Sequence, residues 1–350
     1  MLMKTRAAIQ TARGEPLIIG ELELPEPRPD QVVLQMFSTG ICHSQIHELT
    51  DIRPRPTTFG HEATALVTRI GSEVTRVREG DHAIVTWVRN EPLPFDQPEE
   101  DCGATYQGAL IPWFQHTWSE HAVISERFIV PINKEDPTDL SSIVGCAVLT
   151  GCGAIIHTAQ VRPEDSVAII GMGGVGLSAV SAAALSLAYP IIAVDLHADK
   201  LELAREFGAT HTVDASKEDP VKAILELSHG GVDYSFDAIG TRPVIEMILK
   251  VTRPGGAGAD NLGGTAVLIG VPGNEMSLDP RHFLSSQSRF ISSFGASYPD
   301  RDFKMYLRWY REGKLPLDKL VTDRYRLDQI NEACDALKAG QIRGRAIIEF

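Results

Sequence analysis

Cysteine is scarce in this sequence, with five residues among 350. They lie at positions 42, 102, 146, 152 and 334, too few and too scattered for a disulfide framework in a chain of this size. The amino-terminal stretch MLMKTRAAIQ has charge but lacks the apolar core of a signal peptide. We therefore expect a reducing compartment and a cytoplasmic protein.

Basic residues are outnumbered, with 33 Lys and Arg against 46 Asp and Glu and a formal net charge of −13. This balance disfavours nucleic acid and anionic membranes as partners, because both repel an acidic surface. The content of 43% hydrophobic and 23% charged residues is typical of a soluble globular protein. We expect a small-molecule partner, with no nucleic acid and no membrane.

Long runs of Leu, Ile and Phe are also missing. The longest uncharged stretch, positions 166–194, is rich in Ala, Gly and Ser, is broken by Pro190, and has no Lys/Arg or aromatic flanks. These features argue against a membrane span. The stretch divides instead into a β-branched run, a glycine turn, an Ala-rich helix and a second β-branched run. This order predicts a strand, helix and strand of a parallel sheet that is buried on both faces.

The glycine turn GMGGVG, positions 171–176, fits the pattern G-x-G-x-x-G between that strand and that helix. The first glycine makes the tight turn, the second admits a pyrophosphate, and the third lets helix and strand pack closely. Asp195, which ends the next strand, would bind ribose hydroxyls and repel a 2′-phosphate, which favours NAD over NADP. The predicted dinucleotide site contains Gly171, Gly173, Gly174 and Gly176; the alternative is a glycine-rich turn in an ordinary α/β core.

The pattern of elements changes along the chain. Residues 1–148 show short strand-like runs between Gly/Pro turns, which predicts a mainly antiparallel β domain. Residues 149–289 alternate strands and helices, which predicts a doubly wound parallel sheet. Residues 290–350 predict helix before a final strand, RAIIEF, and we interpret NEPLPFDQPEED (90–101) as a surface loop. The predicted fold class is therefore α/β, with two domains.

Two segments of the β domain, GICHSQIH (40–47) and GHE (60–62), and VGCAVLTGCGA (144–154) after them contain candidate metal ligands. Zinc prefers Cys thiolate and His imidazole, and a catalytic site uses three protein ligands. However, Cys42, His61 and Cys146 are far apart in sequence and match no local C-x-x-C pattern. From the residues alone, inert buried cysteines remain the favoured interpretation and a metal site the alternative.

The combined motifs resemble the zinc-dependent medium-chain dehydrogenase/reductases, the liver-type alcohol dehydrogenase family. The resemblance covers nearly the full length through GICHS, GHE, the GDH turn at Gly80, GCxxxTG at 145–151, GMGGVG, VDLHADKLELAREFGA and IRGRAIIEF. It implies a Rossmann domain at 149–289 and a GroES-like, zinc-binding catalytic domain at 1–148 and 290–350. It also implies NAD as cofactor and one catalytic zinc per chain, bound by Cys42, His61 and Cys146 with Glu62 beside it.

The resemblance also assigns roles to other residues. Ser44 would hydrogen-bond the substrate oxygen and His47 would pass the proton to solvent; the alternatives are a turn-capping serine and a surface histidine. With Glu62, these two are the catalytic candidates. The implied cofactor contacts are pyrophosphate with His43 and Arg345, nicotinamide with Thr150 and Val175, and adenosine ribose with Lys200. Trp87, Val271 and Phe294 match pocket-lining positions, whereas Cys152, Cys334 and His121 are interpreted as structural.

Three departures from the family pattern stand out. Many relatives hold a structural zinc with four closely spaced cysteines, but residues 81–125 contain only Cys102. We therefore predict no structural zinc and a lobe held by packing of Trp113, Phe114 and Trp118. Gln45 replaces an acidic residue, which alters the charge balance near the metal ligands. The Gly-rich segment 254–264 is longer than usual and has no functional interpretation.

These features predict reversible, NAD-dependent oxidation of a primary or secondary alcohol, bulky or aromatic, to an aldehyde or ketone, with zinc lowering the pKa of the substrate oxygen. A thiol-adduct (formaldehyde conjugate) dehydrogenase stays open. The ligand set disfavours a zinc-free quinone or enone reductase, and Cys146 disfavours a polyol dehydrogenase, which typically has a carboxylate there. A nucleotide-responsive binding protein is the non-enzymatic alternative. We expect a homodimer or homotetramer, with the apolar strand TAVLIGV a candidate to pair across a subunit boundary.

Overall fold

The computed structural model describes residues 3–90, 101–258, 262–273 and 275–350. Contacts divide the chain into a first unit, Met1–Cys146, Tyr298–Arg308 and Leu317–Phe350, and a second unit, Ala147–Ser297 and Trp309–Pro316. The second unit therefore begins slightly before the predicted range 149–289 and extends beyond its end. Most of the predicted surface loop at 90–101 and part of the Gly-rich segment 254–264 lie outside the described residues.

The first unit is mainly antiparallel β. Its strands are β1 (Met3–Gln10), β2 (Ile18–Leu24), β3 (Gln31–Ile41), β4 (Thr57–Thr58), β5 (Ala63–Ile70), β6 (His82–Val85), β7 (Thr105–Tyr106), β8 (Ala109–Leu110), β9 (His121–Ser125), β10 (Ile129–Ile132), β17 (Val321–Arg326) and β18 (Arg345–Glu349). Within the described residues they form a sheet in the order β4-β1-β2-β7-β8 and a second in the order β10-β6-β5-β3-β18-β17, with β9 also paired to β3.

Strand β3 organises the second of these sheets, because it pairs with β5, β9 and β18. Its side chains meet buried residues of β5, β6 and β9 in one apolar cluster that includes Leu34, Ala65 and Ile124. The helices associated with this unit are α1 (His43–Glu48), most of α8 (Pro299–Arg311), α9 (Leu317–Leu320) and α10 (Ile330–Lys338). The predicted carboxy-terminal helix and final strand correspond to α10 and β18.

The second unit contains a parallel sheet. Its strands are β11 (Val167–Ile170), β12 (Ile191–Asp195), β13 (His211–Asp214), β14 (Tyr234–Asp237), β15 (Thr265–Leu268) and β16 (Arg289–Ser292). In the part of the chain that the structure describes, they are ordered β13-β12-β11-β14-β15-β16. This is the Rossmann order, whose direction reverses between β11 and β14, next to the turn that follows β11. The predicted doubly wound sheet is confirmed.

The helices of this unit are α2 (Ala147–Gly153), which continues as a π-helical turn (Ala154–Ala159), α3 (Gly174–Leu185), α4 (Ala198–Glu206), α5 (Pro220–Leu227), α6 (Arg242–Lys250) and α7 (Pro280–Ser286). All four residues of β11 are buried, which explains the uncharged character of the stretch around it. Among the helices of the described ranges, none combines the length and apolar character that a membrane crossing requires.

One sequence-based expectation is wrong. TAVLIGV was a candidate to pair across a subunit boundary, but its strand, β15, is already hydrogen-bonded to β14 on one side and β16 on the other. Its apolar composition reflects a position inside the sheet, since such strands are buried on both faces.

Candidate metal centre and cofactor turn

The candidate metal ligands are brought together by the pairing of β3 with β5. Thr39 pairs with Ala63, and the Gly40 N–H donates to the carbonyl of Glu62, so Cys42 and His61 lie at the same end of this pair. The backbone before His61 turns sharply, because Gly60 has a φ of +100°, which favours glycine. Cys42 and His61 are therefore neighbours because of the register in which β3 pairs with β5.

Cys146 reaches the same place by another route. It follows the 3₁₀ turn Leu140–Gly145 and directly precedes α2. The hydroxyl of Thr86, next to the end of β6, donates to the carbonyl of Gly145 at 2.8 Å and fixes the end of that turn. Since β6 pairs with β5, this bond ties Cys146 to the strand that begins after His61.

The ligand atoms of Cys42, His61, Glu62 and Cys146 all lie within 4.8 Å of one another. His61 Nε2 is 3.3 Å from Cys146 Sγ, and the two sulfur atoms are 4.0 Å apart. Across the described ranges, this is the one group of at least three His, Cys, Asp or Glu side chains that could hold a metal ion. Two sulfurs and an imidazole nitrogen are donors that zinc prefers, so the residues fit a zinc ion.

Electrostatics at the two sulfurs favour a cation between them. A hydrogen bond with Cys146 lowers the pKa of the Cys42 thiol well below its usual value, although burial opposes this, and the charge of Arg345 adds to the lowering. The same hydrogen bond, together with burial, raises the pKa of Cys146 well above its usual value. The two sulfur atoms thus compete for a proton, and a divalent cation would instead stabilise both as thiolates.

Glu62 forms a buried ion pair with Arg345 of β18, 283 positions away in the sequence. Both side chains are buried, at 0% and 5% exposure. Burial lowers the pKa of the Arg345 guanidinium, but the charges of Glu62, Cys42 and Cys146 raise it further, so Arg345 stays charged. Arg345 thus lies beside the metal ligands, and the pyrophosphate contact implied by the family resemblance stays a prediction.

Gln45 is buried and contacts two of the ligand residues. Its Oε1 accepts from the Cys42 N–H at 2.7 Å, and its Nε2 lies 3.4 Å from His61 Nδ1. For His61 to bind a metal through Nε2, Nδ1 must carry the proton and needs an acceptor. The single amide oxygen of Gln45 is already used by Cys42, so the amide cannot serve both donors well.

We expect Gln45→Glu to retain zinc more strongly than the unchanged protein, because a carboxylate accepts from both N–H groups. Loss of such partners typically changes metal affinity by about 10- to 100-fold, so zinc transfer to a chelator should slow by about tenfold. Zinc release is followed with a colorimetric chelator. Gln45→Met, which removes both polar atoms at similar size, should lose zinc faster, and equal rates for all three proteins would contradict this account.

The three candidates on α1 differ in exposure. Ser44 Oγ is buried and has no hydrogen-bond partner among the described residues, whereas His43 and His47 are exposed. A buried hydroxyl without a partner is unusual and often marks a place for a ligand or water. The alternative interpretation of Ser44 as a turn-capping residue therefore finds no hydrogen bond to support it.

The glycine turn has the geometry that its pattern predicts. Gly171 has a φ of +98°, and Gly173 is the N-cap of α3. A Cβ on Gly176 would lie 1.8 Å from the carbonyl oxygen of Gly171, whereas one on Gly173 would meet nothing within 4 Å. The Met172 N–H donates to Asp195 Oδ2 at 2.7 Å, so the carboxylate that ends β12 also holds the turn.

The other predicted cofactor residues also lie in the second unit. Gly174 and Val175 open α3, Thr150 lies in α2, and Lys200 lies in α4. Of these, Thr150, Val175 and Lys200 are half-buried, so part of each side chain faces solvent. Helices α2 and α3 pack closely, since a Cβ on Gly151 would lie 2.2 Å from the Val175 carbonyl oxygen.

The residues interpreted as pocket-lining or structural are dispersed. Val271 and Phe294 are 53% and 84% exposed, and Trp87 is half-buried. The residues interpreted as structural make structural contacts. Trp118 Nε1 donates to the Gly40 carbonyl, and the Trp113 and Phe114 ring centroids are 4.8 Å apart. Cys152 Sγ donates to the Ser178 carbonyl, Cys334 lies in an apolar cluster, and the His121 N–H donates to the Thr5 hydroxyl.

Comparisons with known proteins show the family of the chain. The family described as alcohol dehydrogenase GroES-like domain matches residues 28–134, and the family described as zinc-binding dehydrogenase matches residues 174–312. The curated relatives include S-(hydroxymethyl)glutathione dehydrogenase from Escherichia coli, which is 31% identical over 97% of this chain and 98% of its own length.

The solved structures that resemble the whole chain include two with 28% identity. Benzyl alcohol dehydrogenase from Acinetobacter calcoaceticus is 28% identical to this chain and superposes on it with a TM-score of 0.89. The match covers 100% of both chains. An alcohol dehydrogenase zinc-binding domain protein from Burkholderia ambifaria has 28% identity, a TM-score of 0.90 and the same coverage. The chain therefore belongs to the zinc-dependent medium-chain dehydrogenase/reductase family. Its activity is that of an oxidoreductase of the alcohol dehydrogenase type.

Proposed function

We propose that this protein oxidises a primary or secondary alcohol to an aldehyde or ketone with NAD, reversibly, using one catalytic zinc per chain. The observation that carries the proposal is the group of donor atoms from Cys42, His61, Glu62 and Cys146 within 4.8 Å of one another. The glycine turn after β11 supports the second component, a bound dinucleotide. The proposed reaction would use the dinucleotide as hydride acceptor and the zinc as Lewis acid.

Within this proposal, zinc held by Cys42, His61 and Cys146 would supply a Lewis acid for the substrate oxygen. Ser44 would accept the substrate proton at its Oγ, which has no other partner in the described ranges, and would release its own hydroxyl proton in turn. His47, exposed on the same short helix, would pass that proton to solvent. Glu62, paired with Arg345, would stabilise the charge around the ligands.

The preference for NAD is expected to depend on Asp195. Its Oδ1 and Oδ2 accept from the His197 and Met172 N–H groups, which directs the carboxylate toward the glycine turn. A carboxylate there would bind ribose hydroxyls and repel a 2′-phosphate. We expect Asp195→Asn to reduce the preference for NAD over NADP by about 10- to 100-fold, since hydrogen bonds to charged groups contribute about 1.5–3 kcal/mol.

The measurement is kcat/KM with each cofactor at saturating alcohol. Asp214→Asn is the matched control, because Asp214 ends the neighbouring strand β13 and carries the same charge. It should leave the cofactor ratio unchanged. An Asp195→Asn enzyme with the original ratio would contradict the assigned role.

Two substrate classes are supported by relatives. Benzyl alcohol dehydrogenase shares 28% identity and supports an aromatic alcohol, and the family resemblance matches Trp87 to a pocket-lining position. S-(hydroxymethyl)glutathione dehydrogenase shares 31% identity and supports the thiol-adduct alternative. We favour the aromatic alcohol.

NADH formation by the zinc-loaded protein tests this choice. We expect turnover with benzyl alcohol, loss of turnover after chelation and recovery with zinc. Turnover only with formaldehyde plus glutathione would transfer the proposal to the thiol adduct. No turnover with any alcohol at full zinc occupancy would favour a nucleotide-responsive binding protein. Assembly as a homodimer or homotetramer, the cytoplasmic location and the lack of a structural zinc stay predictions.

A further inference from the structure

A cavity of about 480 Å³ lies entirely within the second unit. Three of its lining residues, Tyr234, Thr265 and Arg289, are the first residues of β14, β15 and β16. The glycine turn follows the carboxyl end of β11 in the same parallel sheet. The cavity therefore lies at the amino ends of the strands, whereas the cofactor turn lies at their carboxyl ends. The activity proposed above does not involve this cavity.

The strand register places these three side chains side by side. Tyr234 pairs with Thr265, and Thr265 pairs with Arg289. Residues directly opposite in neighbouring strands point to the same face of a sheet, and so does the residue two positions further on. Ile291, two residues after Arg289, therefore lies on that face too, and it also lines the cavity.

Thr265 contributes an unsatisfied hydroxyl. This residue is 2% exposed, and its Oγ1 has no hydrogen-bond partner in the portion of the chain that the structure describes. A buried hydroxyl without a partner is destabilising and is rare in folded proteins. A ligand oxygen in the cavity would provide the missing hydrogen bond.

The charges that line the cavity favour an anion. Arg162 and Arg289 are exposed, and within the described residues neither guanidinium forms an ion pair. Asp165 is the carboxylate among the lining residues, and its Oδ2 already accepts from the Arg162 N–H. Asp233, which lies next to Tyr234, is neutralised by Arg253. Two available cations therefore face one carboxylate.

The charges around the cavity also act on the pKa of the Tyr234 phenol. Burial raises its pKa above the usual value, and the charges of Asp165 and Asp233 add to this. Arg289 and Arg162 act in the opposite direction, so both guanidinium groups are electrostatic neighbours of the ring. Both arginines, Tyr234 and Thr265 therefore line one cavity.

The remaining lining groups fit neutral hydroxyls. Gln160, at the end of the π-helical turn, and Asp165 both offer acceptor oxygens. The volume lies within the range of about 300–1,000 Å³ that is usual for small-molecule sites, which is larger than a phosphate ion alone requires. The cavity thus pairs an anion-binding side with acceptors for hydroxyl groups.

We propose that this cavity binds a small phosphate monoester that carries hydroxyl groups, with Arg162 and Arg289 on the phosphate and Thr265 as a further donor. Guanidinium groups bind phosphate through paired, charge-assisted hydrogen bonds. The proposal is independent of the zinc chemistry, because every residue in it lies in the second unit.

Isothermal titration of the zinc-loaded protein with glycerol 3-phosphate tests this site. Saturating NADH is included so that the cofactor's own phosphate positions are occupied. We expect one binding event per chain, weaker binding of inorganic phosphate and none of glycerol. Arg162→Gln and Arg289→Gln should each weaken binding by about tenfold or more, and the isosteric Thr265→Val by about fivefold. Arg281→Gln, which removes the same charge from an exposed residue outside the cavity, should not change binding.

Several outcomes would overturn the proposal. These are no measurable heat with glycerol 3-phosphate, equal weakening by Arg289→Gln and Arg281→Gln, and binding that occurs only without NADH. The last result would place the probe at the glycine turn. Because Arg162 and Arg289 are exposed, their variants should melt at the temperature of the unchanged protein, so lost binding would not reflect misfolding.

Discussion

Cys146→Ser should yield a folded protein that no longer retains zinc. Its rate of alcohol oxidation should fall by about 10³-fold, which corresponds to a loss of about 4 kcal/mol of transition-state stabilisation. The hydroxyl of serine stays protonated near neutral pH and is a poor zinc ligand, so two good donors remain of three. Cys146 Sγ lies 3.3 Å from His61 Nε2 and 4.0 Å from Cys42 Sγ, which makes it part of the ligand group. Metal content per chain and kcat with benzyl alcohol measure the two effects.

Cys152→Ser is the matched control for this variant. Cys152 is also buried and lies in the adjacent helix α2, but its Sγ donates to the Ser178 carbonyl at 3.5 Å, a bond that a serine hydroxyl retains. We expect full zinc content and nearly unchanged turnover. A Cys146→Ser protein with full zinc content and normal turnover would remove the basis of the proposed function.

Gly173→Ala should abolish efficient use of the cofactor without destabilising the fold. A Cβ at this position meets no protein atom within 4 Å, so the folded chain accommodates it. The pattern of the turn places a pyrophosphate against this glycine, and a methyl group would hold the phosphate away from the backbone. A displacement of about 1 Å typically costs about 10²-fold, which is the fall we expect in kcat/KM for NAD.

Gly176→Ala provides the contrast. Its Cβ would lie 1.8 Å from the Gly171 carbonyl oxygen, so strand and helix would have to separate, at a cost of about 1–3 kcal/mol or more. Thermal melting and NADH titration together distinguish the two variants. We expect a normal melting temperature with lost affinity for Gly173→Ala and a lowered melting temperature for Gly176→Ala. Normal NADH affinity in Gly173→Ala would show that no pyrophosphate approaches this turn.

The dinucleotide turn was predictable from local sequence because its physics is local. Strand, turn and helix follow one another within positions 166–188, and the glycines have conformational requirements that leave a clear pattern. The metal group was different. Spacing among Cys42, His61 and Cys146 carried no signal, since their proximity depends on the β3–β5 register and on a 3₁₀ turn. From the residues alone a metal site was the less favoured interpretation, and resemblance to a family made it the preferred one.

Other features of the site left no trace in the sequence. The Glu62–Arg345 pair joins residues 283 positions apart through the contact of β18 with β3. The conflict between Gln45 and His61 requires knowledge of which amide atom faces Nδ1. The interior position of β15 depends on the order of strands, which hydrophobicity does not encode. Each of these features depends on contacts of the tertiary structure that the sequence pattern does not show.

The separation of the ligands along the chain has a thermodynamic consequence for handling the protein. An ion bound by Cys42, His61 and Cys146 cross-links three distant segments of the first unit, and an unfolded chain would not offer the same site. Zinc binding is therefore linked to unfolding, and a hundredfold excess over the dissociation constant adds about 2.7 kcal/mol of stability. Preparations in which zinc occupies only part of the sites should contain two populations with different melting temperatures. A melting temperature is therefore interpretable only together with the zinc content of the sample.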